Sequence, residues 1–289
     1  MYKYRVSIII PTFNRSNLLN LTLNSLLMQS LSINEFEVII VDDGSTDDTV
    51  SVIDKFDGEL NIKYFYQEDN GFRAATARNV GINNSEGEIC VFIDSGILLA
   101  SNAIDEQIKL HNLHSNSAII GYVYGFDEYN ENYEKLIKMN IDSFNVDKYF
   151  NKLEEDKILD LRESIYFDIG DDLTKWPAPW VIFFTAYVSV KKETLINIGM
   201  FDESFDTWGG EDIDLGINLY KNDTKIILSR KLRCIHYPHE KFKTKISPEE
   251  MEKHTLRKKE YLNQKHKLYS TEIFINSSSK ELNKILLNK

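Results

Sequence analysis

Val6-Ser7-Ile8-Ile9-Ile10-Pro11-Thr12-Phe13-Asn14-Arg15 decides the fold: a short β-branched run closed by proline and followed by a polar turn. Such a run, flanked by turn residues, reads as a strand buried on both faces. Phe36-Glu37-Val38-Ile39-Ile40-Val41 is a second, ending in Asp42-Asp43-Gly44-Ser45. Between them Leu18, Leu19, Leu23, Leu26 and Leu27 recur at helical spacing behind Ser16, which the pattern places at the N-cap. Strand, helix, strand makes a parallel crossover. The rhythm continues with a helix over 46–56, a strand from Ile62 to Tyr66, a helix over 74–80, and Ile89-Cys90-Val91-Phe92-Ile93 as a strand ending at Asp94. The expected fold class is α/β, a mostly parallel central sheet flanked by helices. Its polar clusters, 12–15, 42–45 and 94–96, all fall at strand C-termini, the edge where open parallel sheets bind ligands, so they are expected to converge on one crevice.

A dinucleotide-binding enzyme would need glycines after its first strand, and the turn Pro11-Thr12-Phe13-Asn14-Arg15 has none. A nucleotidyltransferase would want a glycine- and basic-rich loop at the same place, also missing. No phosphate loop, His-Glu-x-x-His, Gly-x-Ser-x-Gly or Cys-x-x-Cys is present. Farther on, Trp208-Gly209-Gly210-Glu211-Asp212-Ile213-Asp214 puts three acids beside two permissive glycines and an indole. A carboxylate can take a proton from a hydroxyl, a second can orient it, and an indole face covers the apolar side of a sugar ring. A plain acidic turn is the competing reading.

Taken together, the segment Val6 to Arg15, then Val41-Asp42-Asp43-Gly44-Ser45-Thr46-Asp47, Asn70-Gly71, Ala77-Arg78-Asn79 and Phe92-Ile93-Asp94 resemble, in order and spacing, family 2 glycosyltransferases of the GT-A fold. Gly199-Met200-Phe201-Asp202-Glu203-Ser204-Phe205 followed by Trp208-Gly209-Gly210-Glu211-Asp212 is similar to the acceptor region of galactosyl- and N-acetylgalactosaminyltransferases, bacterial chondroitin polymerases included. The resemblance spans about residues 4–240. It implies a UDP-sugar donor of galactose, N-acetylgalactosamine or N-acetylglucosamine type, and a glycan, lipid-linked or small-molecule acceptor.

By the same resemblance, Asp43 accepts from the uracil imide, Pro11, Thr12, Asn14 and Arg15 line the base pocket, and Arg78 contacts the donor, with Arg73 a weaker candidate. Asp42 or Ser45 could cap the turn in place of Asp43. Asp212 is the implied base, Glu211 its catalytic partner and an acceptor ligand with Trp208 and Gly210, and Asp214 a helix-start or loop-fixing residue ahead of a helix over 215–220. The family pattern after the fourth strand is Asp-x-Asp or Asp-x-His; here it is Asp94-Ser95-Gly96, and glycine supplies no ligand. Mn2+ or Mg2+ would then rest on Asp94, the diphosphate, waters and His236, with His239 competing and a structural histidine the alternative. Single displacement implies inversion, although the polypeptide-modifying relatives retain configuration. The missing second ligand leaves open a transferase-like binding module impaired in catalysis.

With 289 residues, 42% of them apolar, the chain can bury a sizeable core. The expected organisation is one GT-A domain over 1–240, with a nucleotide half (1–100) and an acceptor half (101–240), followed by a basic helical extension (241–289) with a helix over 248–267. No run approaches membrane-span length, 181–190 being too short, and no signal peptide is read. Cys90 and Cys234 sit in apolar stretches as free thiols suited to a cytoplasmic protein. Net charge is −11, yet the extension carries 12 Lys+Arg against 6 Asp+Glu, leaving about −17 on the rest. Acidity there argues against nucleic acid. The basic tail reads either as a solvated structural helix or as a peripheral contact with an anionic inner membrane surface. Residues 125–175 lack a clean period and read as helices and loops, and Trp176-Pro177-Ala178-Pro179-Trp180 as a rigid loop near the acceptor site.

Overall fold

The computed structural model describes residues 2–127, 129–239 and 247–288. Strands β1 (Tyr4–Thr12), β2 (Phe36–Asp42), β3 (Ile62–Tyr66), β4 (Gly87–Ile93), β5 (Ile97–Leu99), β6 (Ser117–Tyr124), β7 (Tyr187–Lys191) and β8 (Lys225–His236) form one sheet in the order β3-β2-β1-β4-β7-β6-β8-β5. The pairs β3/β2, β2/β1 and β1/β4 are parallel, as the crossover pattern requires. Beyond β4 the sheet departs from that simple rule: β7 runs antiparallel to both β4 and β6, and β5 antiparallel to β8.

Val6, Ile8, Ile9 and Ile10 are fully buried because helices cover both faces of β1. Leu19, Leu23 and Leu26 of α1 (Ser16–Leu27) join the core with Val52 and Ile53 of α2 (Thr49–Asp54). On α3 (Ala74–Asn84), Gly81 lets the helix close on the sheet, since a Cβ there would meet Ile9 Cγ2 at 2.4 Å. Ser16 is not the cap that the sequence suggests. It is the first helical residue, and its N–H donates to Asp47 Oδ2 at 2.9 Å, so a neighbouring loop does the capping.

α4 (Ala103–Leu113) leads into β6, and 125–175 holds α5 (Tyr133–Met139), α6 (Phe150–Glu155) and α7 (Glu163–Ile169) among loops, as expected. This excursion is pinned by a buried pair, Arg162 Nη2 to Asp160 Oδ2 at 2.6 Å, while Asp160 also accepts from the Val123 N–H at 2.8 Å and Arg162 Nη2 donates to the Gly121 carbonyl at 2.9 Å. α8 (Lys192–Asn197) follows β7, and α9 (Glu211–Lys221) precedes β8. The Trp176 to Trp180 segment packs against the helix that carries the acid cluster. Trp180 is fully buried in a 3-10 turn (Pro179–Ile182) under α9.

The C-terminal extension folds as α10 (Pro248–His266), opened by a capping box between Ser247 and Glu250, then α11 (Tyr269–Ile275) and α12 (Leu282–Leu287). It is not a free appendage: Leu262, Phe274 and Leu282 are buried, the Phe274 ring meets Trp180 edge-on at 5.5 Å, and Asn283 exchanges two hydrogen bonds with the Ala178 backbone. Cys90 and Cys234 are buried free thiols. Among the described residues no helix is long and apolar enough to cross a membrane.

Candidate active site

The tips of β1, β2 and β4 meet as the pattern predicts. The Asp43 N–H donates to the Thr12 carbonyl at 2.9 Å, and Asn14, in a left-handed conformation (φ 50°), takes the Ser45 Oγ with its own N–H and receives the Thr46 N–H on Oδ1, both at 2.8 Å. Asp42 caps this turn: its Oδ1 accepts from the Ser45 N–H at 2.7 Å and its Oδ2 from the Tyr64 hydroxyl at 2.9 Å. Asp43 is thereby released from the capping role, and instead accepts from Gln67 Nε2 at 2.5 Å and from the Arg73 N–H at 3.0 Å, with the Arg73 guanidinium 3.2 Å away. Thr12 Oγ1, at the end of β1, is buried with no hydrogen-bond partner among the described residues. Arg15 and Asn14 border a cleft of about 210 Å3 with Asp47 and His239. Pro11 is the strand residue leading into this turn, paired with Val41.

Arg78 joins the two halves of the chain. From α3 it donates through Nη2 to Asp94 Oδ1 at 3.2 Å and through Nη1 to Glu211 Oε1 at 3.0 Å, with its guanidinium 5.5 Å from the Phe201 ring. Burial works against its charge, but Asp94, Glu211 and Asp212 hold it firmly protonated. Both terminal nitrogens thus bond carboxylates, while Nε is buried with no hydrogen-bond partner among the described residues. Phe201 is held in turn by Asn79, whose Nδ2 donates to its carbonyl and whose Oδ1 accepts its N–H.

Glu211 and Asp212 open α9, earlier than the helix read over 215–220, with Gly210 at the N-cap (φ 103°) and packed on Phe205. Gly210 is required there, because a Cβ would strike the Phe205 ring at 2.8 Å. Burial, reinforced by Glu211 and opposed by Arg78, pushes the Asp212 carboxyl up to about 7. Asp94 is also raised, first by the loss of solvation on burial and then by the charge of Glu211, against the pull of Arg78. Glu211 Oε2 is buried with no partner among the described residues. Asp214 is buried and accepts from Lys265 Nζ at 2.8 Å and His266 Nε2 at 2.7 Å, so it fixes the C-terminal helix to α9. Trp208 is partly exposed, with Lys258 Nζ 5.6 Å from its ring centroid.

His236 ends β8 opposite Ile97, and Tyr237 N–H donates to the Gly96 carbonyl at 2.8 Å, so it is brought beside the turn that follows Asp94. Its ring lies 4.9 Å from that of His239 and 5.5 Å from Phe126. Gly96 has φ +101°, a backbone conformation that an aspartate or histidine would strain. Among the described residues no three His, Cys, Asp or Glu side chains gather into a ready cage. Asp94 and His236 supply a carboxylate and an imidazole, a donor pair that fits a divalent ion only if diphosphate and water complete its shell.

A family model, "Glycosyl transferase family 2", matches residues 7–191. The chain belongs to that family. A second model, "N-terminal domain of galactosyltransferase", matches residues 167–240, the segment that carries the acid cluster. Validoxylamine A glucosyltransferase of Streptomyces hygroscopicus subsp. jinggangensis is 33% identical over 238 residues, 82% of this chain and 56% of that protein. Chondroitin synthase of Escherichia coli is 31% identical over 222 residues, 75% of this chain and 32% of that one. The chain thus spans about half the length, or less, of these relatives. Among solved structures, S. aureus TarS 1–349 in complex with UDP-GlcNAc aligns with TM-score 0.62 at 20% identity, covering 88% of this chain and 65% of that one. A mannosyltransferase of Pyrobaculum calidifontis, in complex with GDP-Man and Mn2+, aligns over 100% of this chain and 75% of that one with TM-score 0.63 at 17% identity. The fold is GT-A.

Sequence reasoning did not find the Gln67 and Arg73 contacts of Asp43, nor Lys258. Gln67 begins the loop just after β3 and carries no motif; Lys258 lies on a helix whose polar pattern points nowhere.

Proposed function

We propose that this chain transfers a hexose or N-acetylhexosamine from a UDP-sugar to a hydroxyl of a glycan, lipid-linked or small-molecule acceptor, with inversion. The observation that carries this reading is the Arg78 bridge, which ties the β4 tip at Asp94 to the acceptor-side acid Glu211, next to a carboxyl poised near neutrality. Similarity to a glucosyltransferase, a chondroitin synthase and a structure holding UDP-GlcNAc supports the donor class and widens the sugar set to glucose. Asp43 is proposed to receive the uracil imide, with Thr12, Asn14 and Arg15 around base and ribose. Asp212 takes the proton from the attacking hydroxyl, Glu211 Oε2 orients that hydroxyl, and Trp208 carries the acceptor ring. A carboxyl with a pKa near 7 is half ionised at neutral pH and matched to such a task. Asp94 and His236 would hold Mn2+ or Mg2+; the ion's contribution is neutralisation of the leaving diphosphate.

The protein is proposed to act in the cytoplasm, the compartment that suits its buried free thiols. Peripheral contact with an anionic membrane face is the subsidiary proposal for the basic C-terminal segment. Two measurements test the whole. Calorimetric titration of UDP with and without Mn2+ should give binding, and a screen of UDP-sugars should find one that is slowly hydrolysed. UDP binding without hydrolysis of any sugar would favour the impaired module, and no binding in either condition would overturn both.

A further inference from the structure

Lys258 lies on the outer helix α10, yet its side chain reaches the Trp-Gly-Gly loop. Its Nζ stands 5.6 Å from the Trp208 ring centroid, and its stem lies against Gly210, where a built Cβ would be 3.4 Å from Lys258 Cδ; at Gly209 the corresponding distance is 3.7 Å to Nζ. Burial lowers the pKa of this ammonium, and the charges of Glu211 and Asp212 work against that fall, so all three groups share one field. Among the described residues the ammonium makes no hydrogen bond or ion pair; the indole face is its neighbour. A partly buried ammonium carries three N–H donors that want acceptors.

The placement is rigid. Three residues farther along α10, Tyr261 donates to Asp202 at 2.9 Å and meets the Phe205 ring edge-on at 5.3 Å. One turn beyond, Lys265 bonds Asp202 at 2.6 Å and Asp214 at 2.8 Å. Both acids flank the Trp208 to Asp212 segment, so the helix is clamped on either side of the loop it overlooks.

We propose that α10 forms one wall of the acceptor site, and that Lys258 donates hydrogen bonds to hydroxyl oxygens of an acceptor sugar stacked on Trp208. The inference rests on the proposed sugar transfer and deepens it: acceptor choice is written partly in the C-terminal segment, outside both family models. Lys258 does no bond-making; it positions the ring whose hydroxyl Asp212 deprotonates. Replacing the ammonium should therefore weaken the capture of a saccharide more than it weakens attack by water.

The test uses Lys258→Met, which keeps the apolar stem, with Lys258→Arg and Lys258→Gln beside it. With the UDP-sugar found by hydrolysis screening, UDP release is followed with and without chondroitin oligosaccharides, validoxylamine A or poly(ribitol phosphate) as acceptor. In Lys258→Met the ratio of transfer to hydrolysis should fall about tenfold, through acceptor KM more than kcat, with Lys258→Arg recovering part of it. A ratio equal to wild type in Lys258→Met and Lys258→Gln overturns the proposal. So does a failure of every saccharide to accelerate UDP release by the wild type, whereas absence of any hydrolysis would sink the transferase reading itself. Thermal midpoints within about 2 °C of wild type show that the ratio reports contact and not unfolding.

Discussion

Arg78 donates to Glu211 at 3.0 Å across 133 residues of chain, and with its other arm to Asp94. One guanidinium thus ties α3 to the tip of β4 and to the start of α9. A lysine is a point charge on a flexible stem and cannot make this forked contact. Arg78→Lys should cut activity on the UDP-sugar at least a hundredfold, and Arg78→Met should cost about 3–5 kcal/mol of stability by leaving buried acids uncompensated. Initial rates and urea denaturation midpoints check the two.

Asp212→Asn should lower turnover about a thousandfold while leaving UDP affinity nearly unchanged. Calorimetry and initial rates on the same sample decide it, and wild-type turnover in that variant would remove Asp212 as the base.

Because Asp212 titrates near 7 in the folded protein, kcat/KM should rise as pH increases through that value and flatten above it. The sign for stability is opposite. A carboxyl raised from 3.8 binds its proton more tightly in the folded state than in the unfolded chain, so stability falls as pH climbs from about 4 to about 7. Asp212→Asn should flatten that slope and raise Tm at pH 7.5, by about 2 °C or more.

Asp94→Asn retains an oxygen for Arg78 but loses the anionic ligand. UDP affinity measured with Mn2+ should then drop toward the value without it. An unchanged gain from Mn2+ would move the ion elsewhere.

Asp214→Ala strips Lys265 and His266 of a buried partner and should cost about 3–5 kcal/mol. Limited proteolysis should then open the chain near α10 before the sheet.

The parallel half was legible in the sequence because its strands are buried on both faces and stand out as unbroken apolar runs; β3 falls where it was read, and β1, β2 and β4 within two residues. The three-residue β5 was not, being too short to show a period and held by β8, more than a hundred residues later. The turn of sheet direction at β7 has no local signal either. At the site, residue types were readable and partnerships were not. Asp47 capping α1, Arg78 between two acids and Lys258 above Trp208 are meetings of distant segments that only packing decides.

Asn14 is laced to Ser45 and Thr46 by hydrogen bonds that the chain makes with itself. A loop pair already ordered has little conformational freedom left to surrender on ligand capture. UDP should accordingly find a shaped slot instead of moulding one, with association limited by diffusion and encounter geometry, not by rearrangement of these two turns.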